Sequence, residues 1–196
     1  NIHVEYVSAN PTGPLHIGHG RGMILGEVTA KFLSYQGHKI VREYYVNDAG
    51  RQIDLLLVSV LLCHLGKNKH VFVDEKTNDD GHLLTYKGSY INDVATSLNH
   101  DLEKIDKDSV LSLLNEPIDS LISFLKNHKS YSQIRNALVN VIIDKYIKED
   151  LSAVGINFDS WFRESQVYET GLLDEVLSNI KNKNLSYRKD GALWFK

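Results

Sequence analysis

Ala9-Asn10-Pro11-Thr12-Gly13-Pro14-Leu15-His16-Ile17-Gly18-His19-Gly20-Arg21 reads as a stiffened loop running into a helix. Pro11 and Pro14 fix its approach, and two imidazoles three residues apart then flank Gly18, which lets a ligand come close to the backbone. Two ring nitrogens and the free N–H groups of a helix start are thereby aimed at one spot, where a phosphate is favoured. A His-x-x-His pair alone equally fits two loop histidines with no ligand, so the flanks decide. Upstream, Ile2 to Val7 alternates and is rich in β-formers, which reads as a strand. Downstream, a helix is expected from Gly18 to Gln36, with Ile24, Val28, Phe32 and Tyr35 on one apolar face. Gly22 and Gly26 leave room for close packing, and Gly37 is placed to end the helix. Lys39 to Val46 reads as a second strand. Strand, glycine-containing loop, helix and strand make a βαβ unit, hence a parallel sheet with a right-handed crossover. Ligands of such sheets bind beyond the carboxyl ends of the strands, where the His16 loop and Asn47-Asp48 would lie.

Farther along, Gln52 to Leu65 is apolar and helical, closed by Gly66. Lys67 to Lys87 turns polar, with an Asn78-Asp79-Asp80-Gly81 run, and reads as a loop or insertion. Helical patterns return over 89–98, 109–126 (divided by Pro117) and 131–154. Asn157 to Glu164 has strand character, Gly171 to Lys183 reads as a short helix, and Asp190-Gly191 signals a hairpin. Tyr44, Tyr45, Trp161, Phe162, Trp194 and Phe195 are expected in the core.

With 196 residues and 42% apolar content, the chain can bury one substantial core, or a core plus a helical satellite. The net charge of −3 is spread without a basic cluster, unlike an autonomous nucleic-acid binder. No apolar run is long enough to span a bilayer and no signal peptide is present, so a cytoplasmic location is expected. The single cysteine, Cys63, reads as a small buried hydrophobe in a reducing compartment. The chain opens at Asn1 rather than methionine and stops just after an apolar run, so both ends are expected to be cuts in a longer polypeptide. The remaining histidines share no ligand spacing with cysteine or carboxylate, so no metal site is expected.

Val4-Glu5-Tyr6-Val7-Ser8-Ala9-Asn10-Pro11 followed by His16-Ile17-Gly18-His19 resembles the signature of class I aminoacyl-tRNA synthetases, and in particular of bacterial arginyl-tRNA synthetases. A second block, Arg42-Glu43-Tyr44-Tyr45-Val46-Asn47-Asp48-Ala49-Gly50-Arg51-Gln52-Ile53, resembles the same family, as does Gly191-Ala192-Leu193-Trp194-Phe195 more briefly. The resemblance implies an α/β, Rossmann-like class I catalytic domain, of which this is the N-terminal half with its parallel sheet. On that scheme 1–66 carries the first half of the nucleotide-binding fold, 67–129 is a mainly α-helical insertion, and 130–196 resumes the catalytic domain.

The same resemblance implies ATP-dependent activation of L-arginine to arginyl-adenylate and transfer to tRNA(Arg). Mg2+ would accompany ATP and not be held by a dedicated protein site. His16 and His19 would be catalytic, as hydrogen-bond donors to the transferring phosphoryl group. Pro11, Gly13, His16, Gly18, His19 and Arg21 would contact ATP; Arg21 could equally pair with an acidic neighbour. Glu5, Ser8, Asn10, Asp48 and Gln52 would contact arginine, Glu5 facing a guanidinium whose planar fork lysine cannot copy. Asn10 could instead cap the loop, Asp48 could be a helix N-cap, and Glu5 could be a solvated edge-strand carboxylate. tRNA would be bound mainly by domains outside this chain, which is expected to be a monomer. A Lys-Met-Ser-Lys-Ser-like loop and an anticodon-binding domain are not in the sequence, so little aminoacylation is expected of this chain alone. Two other classes remain: a small-molecule nucleotidyltransferase with a His-x-Gly-His loop, and a non-catalytic helical interaction module. The last would leave a large exposed apolar patch on the helices from Ser89 to Val154.

Overall fold

A computed structural model describes residues 1–70, 72 and 85–196. Most of the expected Lys67–Lys87 loop, including Asn78-Asp79-Asp80-Gly81, lies outside the described residues. The alternating start of the chain forms β1 (Ile2–Glu5), the helix after the histidine loop is α1 (Ile17–Tyr35), and β2 (Ile40–Val46) follows. α2 (Arg51–His64) comes next, and β3 (Ser160–Arg163) returns much later. The strands form a parallel three-stranded sheet in the order β1-β2-β3, with Ile2 beside Ile40 and Glu43 beside Ser160. β1 ends two residues earlier than the pattern suggested. Val7 has φ +64° and the Ser8 N–H donates to the Tyr6 carbonyl at 2.9 Å, a γ-turn that lifts the chain off the ladder. A β-branched residue in that region is strained by about 1–3 kcal/mol. The Ser8 hydroxyl offsets part of the loss by accepting from the Tyr45 N–H at 3.1 Å, where a strand carbonyl would otherwise serve.

α2 is apolar around nearly its whole circumference, and Ile53 and Leu56 to Leu62 are all buried. Such a helix needs cover on every side. The cover comes from α3 (Tyr90–Ser97), α4 (Asn99–Leu102), α5 (Lys107–Ser112), α6 (Ile118–Lys126) and α7 (Tyr131–Ile142), whose apolar positions join the same buried cluster as Tyr44 and Val46. Pro117 divides α5 from α6 as expected. The helix pattern over 131–154 is interrupted by a π turn, Ile143–Ile147, before α8 (Lys148–Ala153). From Ser89 to Val154 the only large apolar side chain left exposed is Val154, so these helices do not present an apolar docking face. After β3 come α9 (Glu164–Glu169), α10 (Leu172–Asn182) and a hairpin, β4 (Ser186–Lys189) with β5 (Ala192–Phe195), turning at Asp190-Gly191. No described helix is long and apolar enough to cross a membrane.

Two expectations about the core need correction. α1 turns Met23, Glu27 and Ala30 inward, while Ile24, Leu25, Val28, Phe32 and Tyr35 stand 58–92% exposed. The inward choice follows from Gly26: a Cβ there would fall 2.2 Å from the Tyr6 ring, so only glycine lets β1 and α1 approach this closely. Trp194 and Phe195 are also exposed, at 51% and 66%, because the hairpin packs little against the rest of the described chain. Tyr44 meets its expectation: it is fully buried, stacked on Trp161 at 4.5 Å, and its hydroxyl donates to the Ala9 carbonyl at 3.0 Å.

Candidate active site

The loop from Ala9 to Leu15 leaves β1 and delivers the chain to the N-terminus of α1, so the sheet's carboxyl edge and a helix start meet there. His16 is the N-cap, in extended conformation, and its Nδ1 accepts from the Gly18 N–H at 3.1 Å. His19 reaches back: its Nδ1 accepts from the His16 N–H at 3.1 Å. The two imidazoles thus form a reciprocal capping box, the arrangement usually made by Ser/Thr with Glu/Gln. Their rings stack at 3.9 Å with an interplanar angle of 27°. A backbone N–H can only donate, so each Nδ1 must carry a lone pair and each ring proton sits on Nε2. Burial, and then the neighbouring His16, holds the His19 pKa below its ordinary value and favours the neutral ring. No acidic side chain occupies the first turn of α1 itself, which leaves the positive end of the helix favourable to an anion.

A cavity of about 390 Å3 opens beside the histidines, lined among others by Asn10, Gly13, His16, His19, Gln52 and Tyr90. Asn10 Nδ2 donates to Gln52 Oε1 at 2.7 Å, joining the loop to the start of α2. Asn47, just past β2, donates to Glu164 Oε2 at 2.6 Å and to the Ala49 carbonyl at 2.9 Å once its amide is assigned with the nitrogen facing these acceptors, the orientation that satisfies both ends of the amide. Strand ends, loop and helix starts are therefore tied into one polar floor. Glu5 lies at the carboxyl end of β1, exposed and outside the cavity lining. It contributes to a negative field with Glu164: burial, followed by Glu164, Tyr168, Asp48 and Glu5, raises the pKa of the Tyr45 hydroxyl. A cation beyond the strand ends would be favoured in that field.

The sequence-expected residues separate into groups. Asn10, Gly13, His16, His19 and Gln52 come together on the cavity wall. Pro11 is buried beneath the loop, and Gly18 lies against His16, whose ring would be 2.9 Å from a Cβ there. Arg21 is exposed at the start of the second turn of α1. Ser8 spends its hydroxyl on Tyr45. Asp48 is 1% exposed, with its carboxylate accepting from the Ser165 N–H at 2.9 Å and the Ser165 hydroxyl at 2.8 Å. It holds the start of α9 and does not line the cavity; it is not the N-cap of the helix after its own strand, since Gly50 takes that position in α2.

Tyr86 and Tyr90 on the wall, Glu164 in the floor and Asp150 beside the loop were not anticipated, whereas Asn47 lies at the sheet's carboxyl edge as expected. The two tyrosines stand four residues apart, a pattern indistinguishable from ordinary helix packing, and nothing local ties them to a loop more than 70 positions upstream. Cys63 is half-buried, with burial pushing its thiol pKa up and its Sγ 2.8 Å from Asn92 Oδ1. Among the described residues no three His, Cys, Asp or Glu side chains are grouped as a metal ion would require.

Comparison with known proteins agrees with this geometry. Residues 1–195 match the family model described as tRNA synthetases class I (R), catalytic domain. The arginine–tRNA ligase of Aquifex aeolicus is 36% identical over the whole chain, which covers 35% of that protein. That of Helicobacter pylori is 38% identical, again over the whole chain and 31% of the relative. A crystal structure of a Campylobacter jejuni protein assigned as an arginyl-tRNA synthetase superposes with a TM-score of 0.67 at 32% identity, covering 98% of this chain and 37% of that one. The chain spans about a third of the length of the curated relatives it matches.

Proposed function

Because the chain belongs to the catalytic-domain family of class I arginyl-tRNA synthetases, we propose that it supplies the ATP-handling half of an arginine-activating site in a longer, cytoplasmic synthetase. The observation that carries this reading is the double histidine cap. It leaves two Nε2–H donors beside a helix N-terminus whose own first turn carries no acidic side chain.

Activation is attack of the arginine carboxylate oxygen on the α-phosphorus of ATP, with pyrophosphate leaving. No covalent bond to the protein is required, so the work is alignment and stabilisation of charge on the phosphoryl oxygens. Two neutral imidazoles with their Nδ1 atoms already satisfied are rigid donors for that charge, and they need no proton transfer. Gly13 and Gly18 let the nucleotide lie near the backbone, and Pro11 and Arg21 flank it. Any Mg2+ enters with the phosphates of ATP. Asn10 and Gln52 are placed for the α-amino and carboxylate groups of arginine, Ser8 stiffens the strand end behind them, and Glu5 faces the guanidinium in the field it shares with Glu164. Asp48 acts indirectly, by holding α9 and hence Glu164. The tRNA is engaged mainly by the rest of the protein.

The test is arginine-dependent ATP–pyrophosphate exchange by the full-length protein with tRNA(Arg) present, which activation in this family usually requires, and with lysine as control. Loss of one charge-assisted pair predicts that Glu5→Gln raises the KM for arginine about 10- to 100-fold, with little change in the KM for ATP. Exchange supported equally by lysine, or an unchanged arginine KM in Glu5→Gln, refutes the reading.

A further inference from the structure

The loop that sets the histidines is itself held from outside the βαβ unit. At one end, the Tyr90 hydroxyl donates to the Thr12 carbonyl at 2.8 Å. Gly13 passes beneath the Tyr90 ring so closely that a Cβ would lie 3.0 Å from it. At the other end, the Leu15 N–H donates to Asp150 Oδ2 at 3.0 Å. Between these points Pro14 has no N–H to offer, so the segment has few anchors of its own.

We infer that Tyr90 and Asp150 are positioning residues for His16 and His19, each holding one end of the Thr12–Leu15 segment so that His16 enters α1 in the conformation the double cap requires. The inference rests on the proposed role of the histidines, but its geometry does not.

The π turn shows how one long helix serves both anchors. Tyr146, inside the turn, meets the Tyr90 ring edge-on at 6.0 Å and places its hydroxyl 3.5 Å from Asp93. Lys145 donates to the Ser97 hydroxyl at 3.0 Å. These contacts key the turn against α3, the helix that carries Tyr90. The extra residue in the turn then re-registers α8; an unbroken α-helix through the same residues would carry Asp150 about 100° round the axis, away from Leu15. The helical insertion and the helix after it therefore reach the histidines through two hydrogen bonds, although neither Tyr90 nor Asp150 belongs to the motif.

Removing the hydroxyl in Tyr90→Phe keeps the ring packing, and Asp150→Asn keeps an acceptor for Leu15, whereas Asp150→Ala removes it. Nitrogen-15 spectra of the histidine rings report the tautomers directly in this chain, and pyrophosphate exchange by the full-length protein reports alignment. In the Tyr90→Phe/Asp150→Ala pair the Nε2–H tautomer should lose its dominance at both rings. The kcat for exchange should fall about 10- to 100-fold, as for a misplaced rather than absent donor, with the KM for arginine within about twofold. Asp150→Asn by itself, which keeps the acceptor, should leave both at the parent's values, whereas Asp150→Ala should not. Folded variants with unchanged tautomers and kcat within about twofold of the parent overturn the inference, as does Asp150→Asn behaving like Asp150→Ala. If the pair does not fold, the single variants decide by the same readouts. A parent protein without arginine-dependent exchange in the presence of tRNA(Arg) would overturn the proposed function, while the tautomer spectra would still decide the positioning.

Discussion

Gly22 and Gly26 stand one turn apart in α1, and the structure assigns opposite signs to the same substitution at the two. At Gly26 a Cβ would sit 2.2 Å from Tyr6 Cγ and 2.4 Å from Tyr6 Cβ and Cδ2. The ring cannot swing aside freely, because its hydroxyl donates to the buried Glu27 at 2.5 Å and its face lies 4.6 Å from Phe158. Overpacking of that severity costs about 3 kcal/mol and the strained Tyr6–Glu27 bond about 1 kcal/mol more, against about 1 kcal/mol regained from alanine's helix propensity. The net destabilisation is about 3 kcal/mol, which for a chain of this size lowers the Tm by about 6–12 °C. At Gly22 nothing lies within 4 Å of a built Cβ, so only the propensity gain remains and Gly22→Ala should raise the Tm by about 2–4 °C. Thermal melts followed by far-ultraviolet circular dichroism, with urea titration as a second axis, measure both. If the two variants shift in the same direction, or Gly26→Ala melts with the parent, then β1 and α1 are not in the contact described, and the placement of the histidine loop between them loses its basis.

Two further outcomes test the site and its support. His19 has a native pKa below the 6.5 it would show unfolded, so between the two values the unfolded chain binds more protons and stability rises with pH. The cap's contribution is complete above about pH 6.5 and is lost as pH falls through the lower native value; the Tm gap between the parent and His19→Gln should narrow between pH 7.5 and 5, and a widening gap would reject the neutral-ring assignment. Asp54 is 3% exposed and is met by Tyr131, by Arg135 at 3.3 Å and by Lys126 at 3.0 Å. Asp54→Ala leaves the half-buried Arg135 unpaired and should cost about 3 kcal/mol in urea unfolding, whereas Lys126→Ala, at the exposed end of the cluster, should cost less than about 1 kcal/mol; equal midpoints would show that Asp54 does not organise the cluster.

Local chemistry made much of this legible from residues alone. The alternation in Ile2–Glu5, the glycine-bounded helix and the second strand announced a βαβ unit, and Asp190-Gly191 announced its hairpin, because these signals depend on near neighbours. The end of β1 was misjudged because Val7 looks like a strand residue, while tertiary contacts hold it at positive φ. Asp48 was legible as a polar residue at a strand end, but its partner Ser165 lies 117 positions away, so sequence left capping and ligand contact equally open. Tyr90 and Asp150 were invisible for the same reason: each acts on the loop through a single bond to backbone, which leaves no pattern. The capped histidines lie between these cases, since their spacing showed a shared target but not that their Nδ1 atoms are already spent.

The bare side of α1 has a consequence in time. Its inward residues, Met23, Glu27 and Ala30, need only β1, β2 and their immediate neighbours, so that half of the helix can be satisfied as soon as the βαβ unit closes. Ile24, Val28 and Phe32, on the other side, remain wetted for as long as nothing is laid over them. Closure of the first unit and covering of its outer helix are thus separate events with separate clocks.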